Sequence, residues 1–143
     1  RDQPRSRGLG DVYKRQGIVY QLIARFLKDA KPKVEVNDNR IQKVLSHIRK
    51  NIYKTVDIDS LAAISCLSKD HFIRLFKKEV GTTPLQYINQ KKIEKAQLIL
   101  ITEDIPVKNI AYLLAYEDHS YFNRLFKKIT DVTPQQYREL YKK

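Results

Sequence analysis

Apolar residues recur every three or four positions through most of the chain, and no stretch of useful length alternates between apolar and polar residues as a half-buried strand does. This spacing predicts a series of helices, each with one buried side. After residue 38 the predicted helices cover residues 41–52, 58–64, 68–76, 84–103, 107–114 and 122–126, and a last one begins at residue 134. The pattern therefore predicts an all-α fold.

The longest predicted helix has a strong start signal. Thr83-Pro84-Leu85-Gln86 places a capping Thr before a Pro at the first helical position, and the Gln can reach back from the third position. The helix is predicted to end near Glu103. Its buried side is predicted to consist of Tyr87, Ile88, Ile93, Ala96, Leu98 and Ile99.

Two segments precede this series of helices. Residues 1–16, RDQPRSRGLGDVYKRQ, hold three apolar residues without periodicity, which predicts a disordered tail. The tail resembles adaptor-derived sequence, and the alternative is a natural flexible basic arm. Residues 17–37 combine a helical apolar stripe from Ile18 to Leu27 with a polar linker that contains Pro32. The stripe either packs on the following helices, pairs with a second copy or is the remnant of an upstream domain.

A unit of the sequence occurs twice, 50 positions apart. FIRLFKK at 72–78 returns as FNRLFKK at 122–128, and residues 71–87 match residues 121–137 at 10 of 17 positions. Ala62 likewise matches Ala111, with one extra residue in the second turn. Each copy combines a short helix, a tight turn and a second helix, which is the helix-turn-helix plan, whose second helix enters the major groove of DNA. Two copies therefore predict contacts with two grooves.

The second helix of each copy has an outer side that suits nucleic acid. Burial of Phe72, Leu75 and Phe76 leaves polar and basic residues outside. The outer residues are Lys69, Asp70, Ile73, Arg74 and Lys77 in the first copy and His119, Ser120, Asn123, Arg124 and Lys127 in the second. Arg pairs with guanine, Asn pairs with adenine and Ile can touch a thymine methyl group, whereas lysines suit phosphate. A solvated basic face is the alternative for one helix alone, and the repetition argues against it.

Charge and the remaining reactive residues narrow the class of protein. A formal net charge of +12 favours a partner that carries phosphate or anionic lipid. No apolar run of 18 residues occurs, which argues against membrane insertion and favours the cytoplasm. His47, His71 and His119 fall on separate helices and no nucleophile motif or Gly-rich phosphate loop is present, so the sequence predicts no enzyme, no metal site and no cofactor. Cys66, the one cysteine, is predicted to fill apolar space.

A longer pattern runs through the second copy into the last helix. It comprises Ile110-Ala111, Tyr116, Asp118, Ser120, Tyr121-Phe122, Arg124, Phe126-Lys127, Thr133-Pro134 and Tyr137. With this pattern, residues 38–143 resemble the C-terminal DNA-binding domain of the AraC/XylS family of bacterial transcription regulators. The resemblance implies a homeodomain-like fold of about seven helices, in which helix-turn-helix subdomains at 38–83 and 104–143 are joined by a linker helix at 84–103. Residues 17–37 would then be the end of an upstream domain.

The resemblance also implies site residues and partners. Base reading is implied for Asp70, Ile73, Arg74, His119, Ser120, Asn123 and Arg124. Phosphate contacts are predicted for Ser68, Lys69, Lys77, Lys78, Thr83, Tyr121, Lys127 and Lys128. The implied partners are promoter double-stranded DNA, RNA polymerase and a second copy held through an upstream domain, for an activator that works in the cytoplasm on the nucleoid. An output domain of a two-component response regulator and a helical protein-interaction module are the alternatives.

Three positions depart from the family pattern. Ala115 and Asp131 stand where the family usually has Gly, and Lys92 stands where the linker helix usually has Arg. Ala115 and Asp131 would need φ values that Gly accepts more easily. The departures therefore predict a second subdomain that is slightly strained or differently turned.

Overall fold

Seven α-helices run through residues 35–143, and no residue in that range lies in a strand. The computed structural model describes Ile23, Ala24 and residues 35–143, so the predictions of a disordered tail at 1–16 and of most of the helix and linker at 17–37 lie outside the described residues. The predicted all-α fold is confirmed. In chain order the helices are α1 (Asn39–Lys50), α2 (Ile58–Ile64), α3 (Lys69–Val80), α4 (Pro84–Thr102), α5 (Val107–Leu113), α6 (His119–Thr130) and α7 (Pro134–Tyr141).

The first three helices and the start of α4 enclose one apolar cluster, the first core. Its members are fully or almost fully buried because their spacing of three and four places them on one side of each helix. They are Ile41, Val44, Leu45, Ile48, Leu61, Ala62, Phe72, Phe76 and Ile88. Half-buried residues such as Leu75 and Tyr87 pack against them.

A separate cluster, the second core, joins the rest of α4 to α5, α6 and α7. It consists of Ile93, Ala96, Ile99, Leu100, Ile110, Ala111, Leu114, Tyr116, Phe122, Phe126 and Tyr137. The two cores share no residue among the described part of the chain. Each helix-turn-helix unit therefore has an apolar interior of its own.

Helix α4 belongs to both cores. Thr83 and Gln86 form the predicted capping box at its start, and its 19 residues span roughly 28 Å at 1.5 Å per residue. The prediction that Leu98 is buried is wrong, because its side chain is 50% exposed. At 100° per residue, Leu98 lies on the opposite side of the helix from the arc that Ile93, Ala96 and Leu100 occupy.

Basic side chains in and just after the last helix form hydrogen bonds with the C-terminal end of α4. Arg138 donates through Nε to the backbone oxygen of Leu100 at 3.3 Å, and Lys142 donates through Nζ to that of Glu103 at 2.7 Å. Carbonyl groups at a helix C-terminus have no partner within the helix, so these basic side chains satisfy two groups at or near the end of α4.

Among the described residues, no helix is long and apolar enough to cross a bilayer.

Candidate nucleic-acid interface

The turn between α2 and α3 fixes where α3 leaves the first core. The N–H of Leu67 donates to the oxygen of Ala62 at 3.1 Å, and the N–H of Cys66 donates to that of Ala63 at 3.0 Å. These two bonds form a Schellman motif, in which the residue after the C-cap, here Cys66, adopts a left-handed conformation. Cys66 has φ 56° and is exposed, so the prediction that it fills apolar space is wrong.

The second turn repeats this geometry with different residues. The N–H of Tyr116 donates to Ala111 and that of Ala115 donates to Tyr112, each at 2.9 Å. Ala115 has φ 61°, which confirms the expected unfavourable backbone at this position. Because Cys66 adopts the same conformation, this strain is common to both turns rather than special to the second.

The extra residue of the second turn lies between the Schellman motif and the next helix. Ser68 caps α3 immediately after Leu67, whereas Glu117 separates Tyr116 from Asp118, which caps α6. Ser68 accepts a hydrogen bond from the N–H of His71 at 3.4 Å, and Asp118 accepts one from Ser120 at 2.8 Å. Both helices therefore start at capped, defined positions.

Equivalent aromatic residues pack α3 and α6 against their cores. Phe72 and Phe76 are fully buried with ring centroids 5.7 Å apart, and Phe122 and Phe126 are fully buried with centroids 6.0 Å apart. Phe76 meets Tyr87 at 5.6 Å, and Phe126 meets its counterpart Tyr137 at the same distance. Edge-to-face and tilted arrangements of this kind are favourable for aromatic pairs. They fix which side of each helix remains outside.

The structure places most of the predicted site residues on these outer sides. The exposed ones are Ser68, Lys69, Asp70, Arg74, Lys77 and Lys78 in the first unit and Ser120, Tyr121, Arg124, Lys127 and Lys128 in the second. Thr83 and His119 are half-buried. Arg74 and Arg124 are both exposed, and within the described residues neither forms an ion pair. Asp70, Ile73 and Arg74 together line an open depression on α3.

Three of the predicted contact residues have polar side-chain groups that already bond within the protein. Lys69 lies 3.5 Å from Asp59 of α2, an exposed pair of small energetic weight. The hydroxyl oxygens of Ser68 and Thr83 each accept one cap hydrogen bond, and their O–H groups remain available as donors to a ligand.

Ile73 and Asn123, which are equivalent in the two units, are half-buried rather than fully outside. Ile73 packs against the first core. The Oδ1 of Asn123 is buried and has no hydrogen-bond partner within the described residues. Asn123 therefore has only one end of its amide turned toward the outer side.

Lys92 of α4 departs from the Arg that is usual in the family pattern, and its side chain connects distant parts of the fold. It is 4% exposed, and its Nζ donates to the backbone oxygen of Lys54 at 2.9 Å and to that of Leu114 at 2.6 Å. Burial lowers the pKa of this ammonium group below its ordinary value. A periodic pattern treats lysine as a surface residue, and the partners here are distant carbonyls, so no local signal could have identified this contact.

The sequence matches a known family of domains over more than half of its length. A model described as "Helix-turn-helix domain" matches residues 61–140. The MmsAB operon regulatory protein of Pseudomonas aeruginosa is 34% identical over 94 residues, which are 66% of this chain and 31% of that protein. The chain spans about a third of the length of the curated relatives that it matches.

Solved structures share the fold. The C-terminal domain of AraT, a response regulator from Geobacillus stearothermophilus, has a TM-score of 0.71 at 25% identity and covers 74% of this chain and 88% of its own. The DNA-binding domain of AdpA, a global transcriptional factor solved in complex with a target DNA, has a TM-score of 0.69 at 24% identity, with 73% and 94% covered.

Proposed function

Because the chain belongs to the AraC/XylS family of helix-turn-helix transcription regulators, we propose that it binds promoter double-stranded DNA sequence-specifically and regulates transcription as an activator. In this proposal α3 and α6 enter successive segments of the major groove. The observation that carries it is the equivalence of the two helices, since each buries a Phe pair on one side and exposes an Arg and two Lys on the other.

Base reading is proposed for the outer residues near the middle and start of each helix. Arg74 and Arg124 each follow a buried Phe by two positions and are free to form bidentate pairs with guanine. The remaining proposed readers are Asp70, Ile73, His119, Ser120 and Asn123. The half-buried side chain of Ile73 would offer a methyl group to thymine, and Asn123 would offer one amide group rather than a bidentate pair, because its Oδ1 is buried.

Phosphate binding is proposed for the residues that flank the readers. Lys77, Lys78, Lys127 and Lys128 are exposed in the last turns of α3 and α6, where a flexible cation suits the DNA backbone. The other proposed phosphate contacts are Ser68, Lys69, Thr83 and Tyr121. Such contacts hold the helices in register without selecting sequence.

The length of α4 supports simultaneous binding by both units. Its span of roughly 28 Å is comparable to a turn of B-DNA, which is about 34–36 Å. Two recognition helices carried at the ends of such a rod would meet adjacent major-groove segments on one side of the duplex. The proposed site on DNA is therefore bipartite.

Selection of bound sequences from random duplex DNA tests the proposal. The expected result is a preferred site with two short conserved blocks about one helical turn apart. Binding without sequence preference would contradict the proposal, because a basic surface alone provides only the salt-dependent, sequence-independent part of the affinity.

The same interface would serve a second kind of regulator. One of the similar solved structures is the C-terminal domain of a response regulator, so this domain could be the output end of a chain that receives a phosphoryl group. The complete sequence of the gene decides between this candidate and a ligand-sensing regulator. A receiver domain there would establish the response-regulator candidate.

Location and further partners form part of the proposal. A protein that binds promoter DNA acts on the nucleoid in the bacterial cytoplasm, where RNA polymerase would be its partner at the promoter. We further propose that two copies associate through an upstream domain.

A further inference from the structure

Within the described residues, the two helix-turn-helix units share α4, but their apolar cores have no residue in common. Ile88 of α4 belongs to the first core, and the second core begins at Ile93 on the same helix. Lys92 lies between these two positions and is 4% exposed. Burying a charged group costs free energy, so the partners of Lys92 must replace the hydrogen bonds that its ammonium group would form with water.

The ammonium group of Lys92 contacts both units at once. It donates at 2.9 Å to the backbone oxygen of Lys54, in the turn that follows α1, and at 2.6 Å to that of Leu114. Leu114 is the C-cap residue of α5, where the turn toward α6 begins. The same ammonium group lies 5.3 Å from the ring centroid of Tyr116, within reach of a cation–π interaction.

Further contacts extend from this point to α6. The hydroxyl group of Tyr116 hydrogen-bonds to Oδ1 of Asn89 on α4 at 3.0 Å. The ring of Tyr116 packs against Phe122 of α6, with centroids 5.4 Å apart. The turn that carries the second recognition helix is thus attached to α4 by Asn89 and Lys92, and the first unit is attached to the same ammonium group through Lys54.

We infer that Lys92 is a positioning residue that fixes the two helix-turn-helix units relative to each other. Its consequence for DNA, which rests on the proposed function, is that Lys92 determines the spacing between half-sites that the chain accepts. The side chain of Lys92 is enclosed by the turn after α1 and the end of α5, so it would reach neither a base nor a phosphate.

A distance measurement in the absence of DNA tests the first part. Spin labels are placed on exposed residues of the equivalent helices α2 and α5, with Ala63→Cys and Asn109→Cys in a Cys66→Ser background. Lys92→Met should broaden or shift the distribution of distances between the labels. Lys91→Met, which removes the same charge from a more exposed neighbour on α4, and Lys92→Arg, which keeps several donors, should leave the distribution unchanged.

An unchanged distribution in Lys92→Met would overturn the inference. If circular dichroism shows that Lys92→Met is unfolded, Lys92→Gln takes its place, since it retains a shorter donor. Unfolding of both variants would also overturn the inference, because Lys92 would then be needed for folding itself and not for the relation between the units.

A titration on DNA tests the consequence. With duplexes whose half-sites are moved apart or together by one to three base pairs, the unsubstituted chain should bind one spacing best. Lys92→Met should lose about tenfold in affinity at that spacing, as expected when two linked contacts lose their fixed geometry, and should bind a single half-site within about twofold of the unsubstituted chain. Equal losses on single and double sites would contradict a positioning role. If the unsubstituted chain binds no DNA, the proposed function fails, while the spin-label distances still decide the inference.

Discussion

Gly81 and Asp131 occupy the same position at the ends of the two recognition helices, and both are left-handed, with φ 90° and 67°. The N–H of Gly81 donates to the oxygen of Lys77 at 2.9 Å, and that of Asp131 donates to Lys127 at 2.8 Å. A side chain disfavours this backbone conformation, although Asp tolerates it better than most residues do. The second unit therefore has the expected turn, built with a less suitable residue.

Asp131→Gly should stabilise the chain by about 0.5–1 kcal/mol, because glycine adopts the left-handed conformation without a steric penalty. Urea unfolding followed by circular dichroism measures the change. The reciprocal variant is Gly81→Ala, which should destabilise by about 1 kcal/mol through backbone strain alone, since a Cβ at Gly81 meets no atom within 4 Å. A lower stability for Asp131→Gly would show that the aspartate side chain contributes more than its backbone costs.

The cap of α1 predicts a dependence on pH. Asp38 accepts a hydrogen bond from the N–H of Arg40 and pairs with its guanidinium group at 2.9 Å, and this partner lowers the pKa of the carboxyl group from 3.8 to about 2. A lowered pKa in the folded state means that the contribution to stability is complete above about pH 4 and is lost as the pH falls through about 2.

Asp38→Asn should remove that dependence while keeping the cap, since the Asn side chain also accepts from a backbone N–H. The midpoint of thermal unfolding should fall less between pH 4 and pH 2 for this variant than for the unsubstituted chain. Identical falls would mean that the exposed pair is too well screened to contribute.

Arg74→Ala and Arg124→Ala should each weaken binding to the preferred site by about 1–3 kcal/mol and relax base preference in opposite halves of it. Comparable losses are expected, because the turns before α3 and α6 share the same strained geometry at Cys66 and Ala115. Titrations on the preferred and scrambled duplexes measure both effects. Should both variants lose affinity equally on the two duplexes, the arginines contact phosphate and not bases.

Lys78→Ala and Lys128→Ala should weaken binding to all sequences alike. Each variant removes one exposed cation from the last turn of a recognition helix, so the slope of log affinity against log salt should decrease by about one unit. Lys108→Ala on α5 is the matched control for charge, since it lies outside the proposed interface. A change in the preferred sequence would contradict the assignment of Lys78 and Lys128 to phosphate.

The fold could be predicted because its main signals come from residues that lie close together in the sequence. The spacing of Phe72, Phe76, Phe122 and Phe126 predicted which side of α3 and α6 is buried, and the structure has all four rings at 0% exposure. The start of α4 at Pro84 followed from a capping box whose partners are three residues apart. Features of this kind depend on neighbours in sequence, so the sequence alone was sufficient.

Features that depend on distant partners or on backbone conformation were not predictable in this way. Lys92 is separated by 38 and 22 residues from the groups that it contacts, and those groups are carbonyls that every residue possesses. No glycine marks the left-handed conformation of Cys66, and that of its counterpart Ala115 could be expected only from the family pattern, which usually has Gly there. The buried Oδ1 of Asn123 reflects the fit of one side chain against its surroundings, which a helical period does not encode.

The central claim is that α3 and α6 bind one duplex together, and an insertion in α4 tests it most directly. Two alanines added after the exposed Gln90, between Ile88 of the first core and Ile93 of the second, would rotate one unit by about 200° while leaving each core intact. On a duplex with both half-sites, the affinity of this variant should fall to the value measured for a single half-site, which itself should not change. Undiminished affinity for the double site would contradict the claim, because it would mean that only one recognition helix engages the DNA.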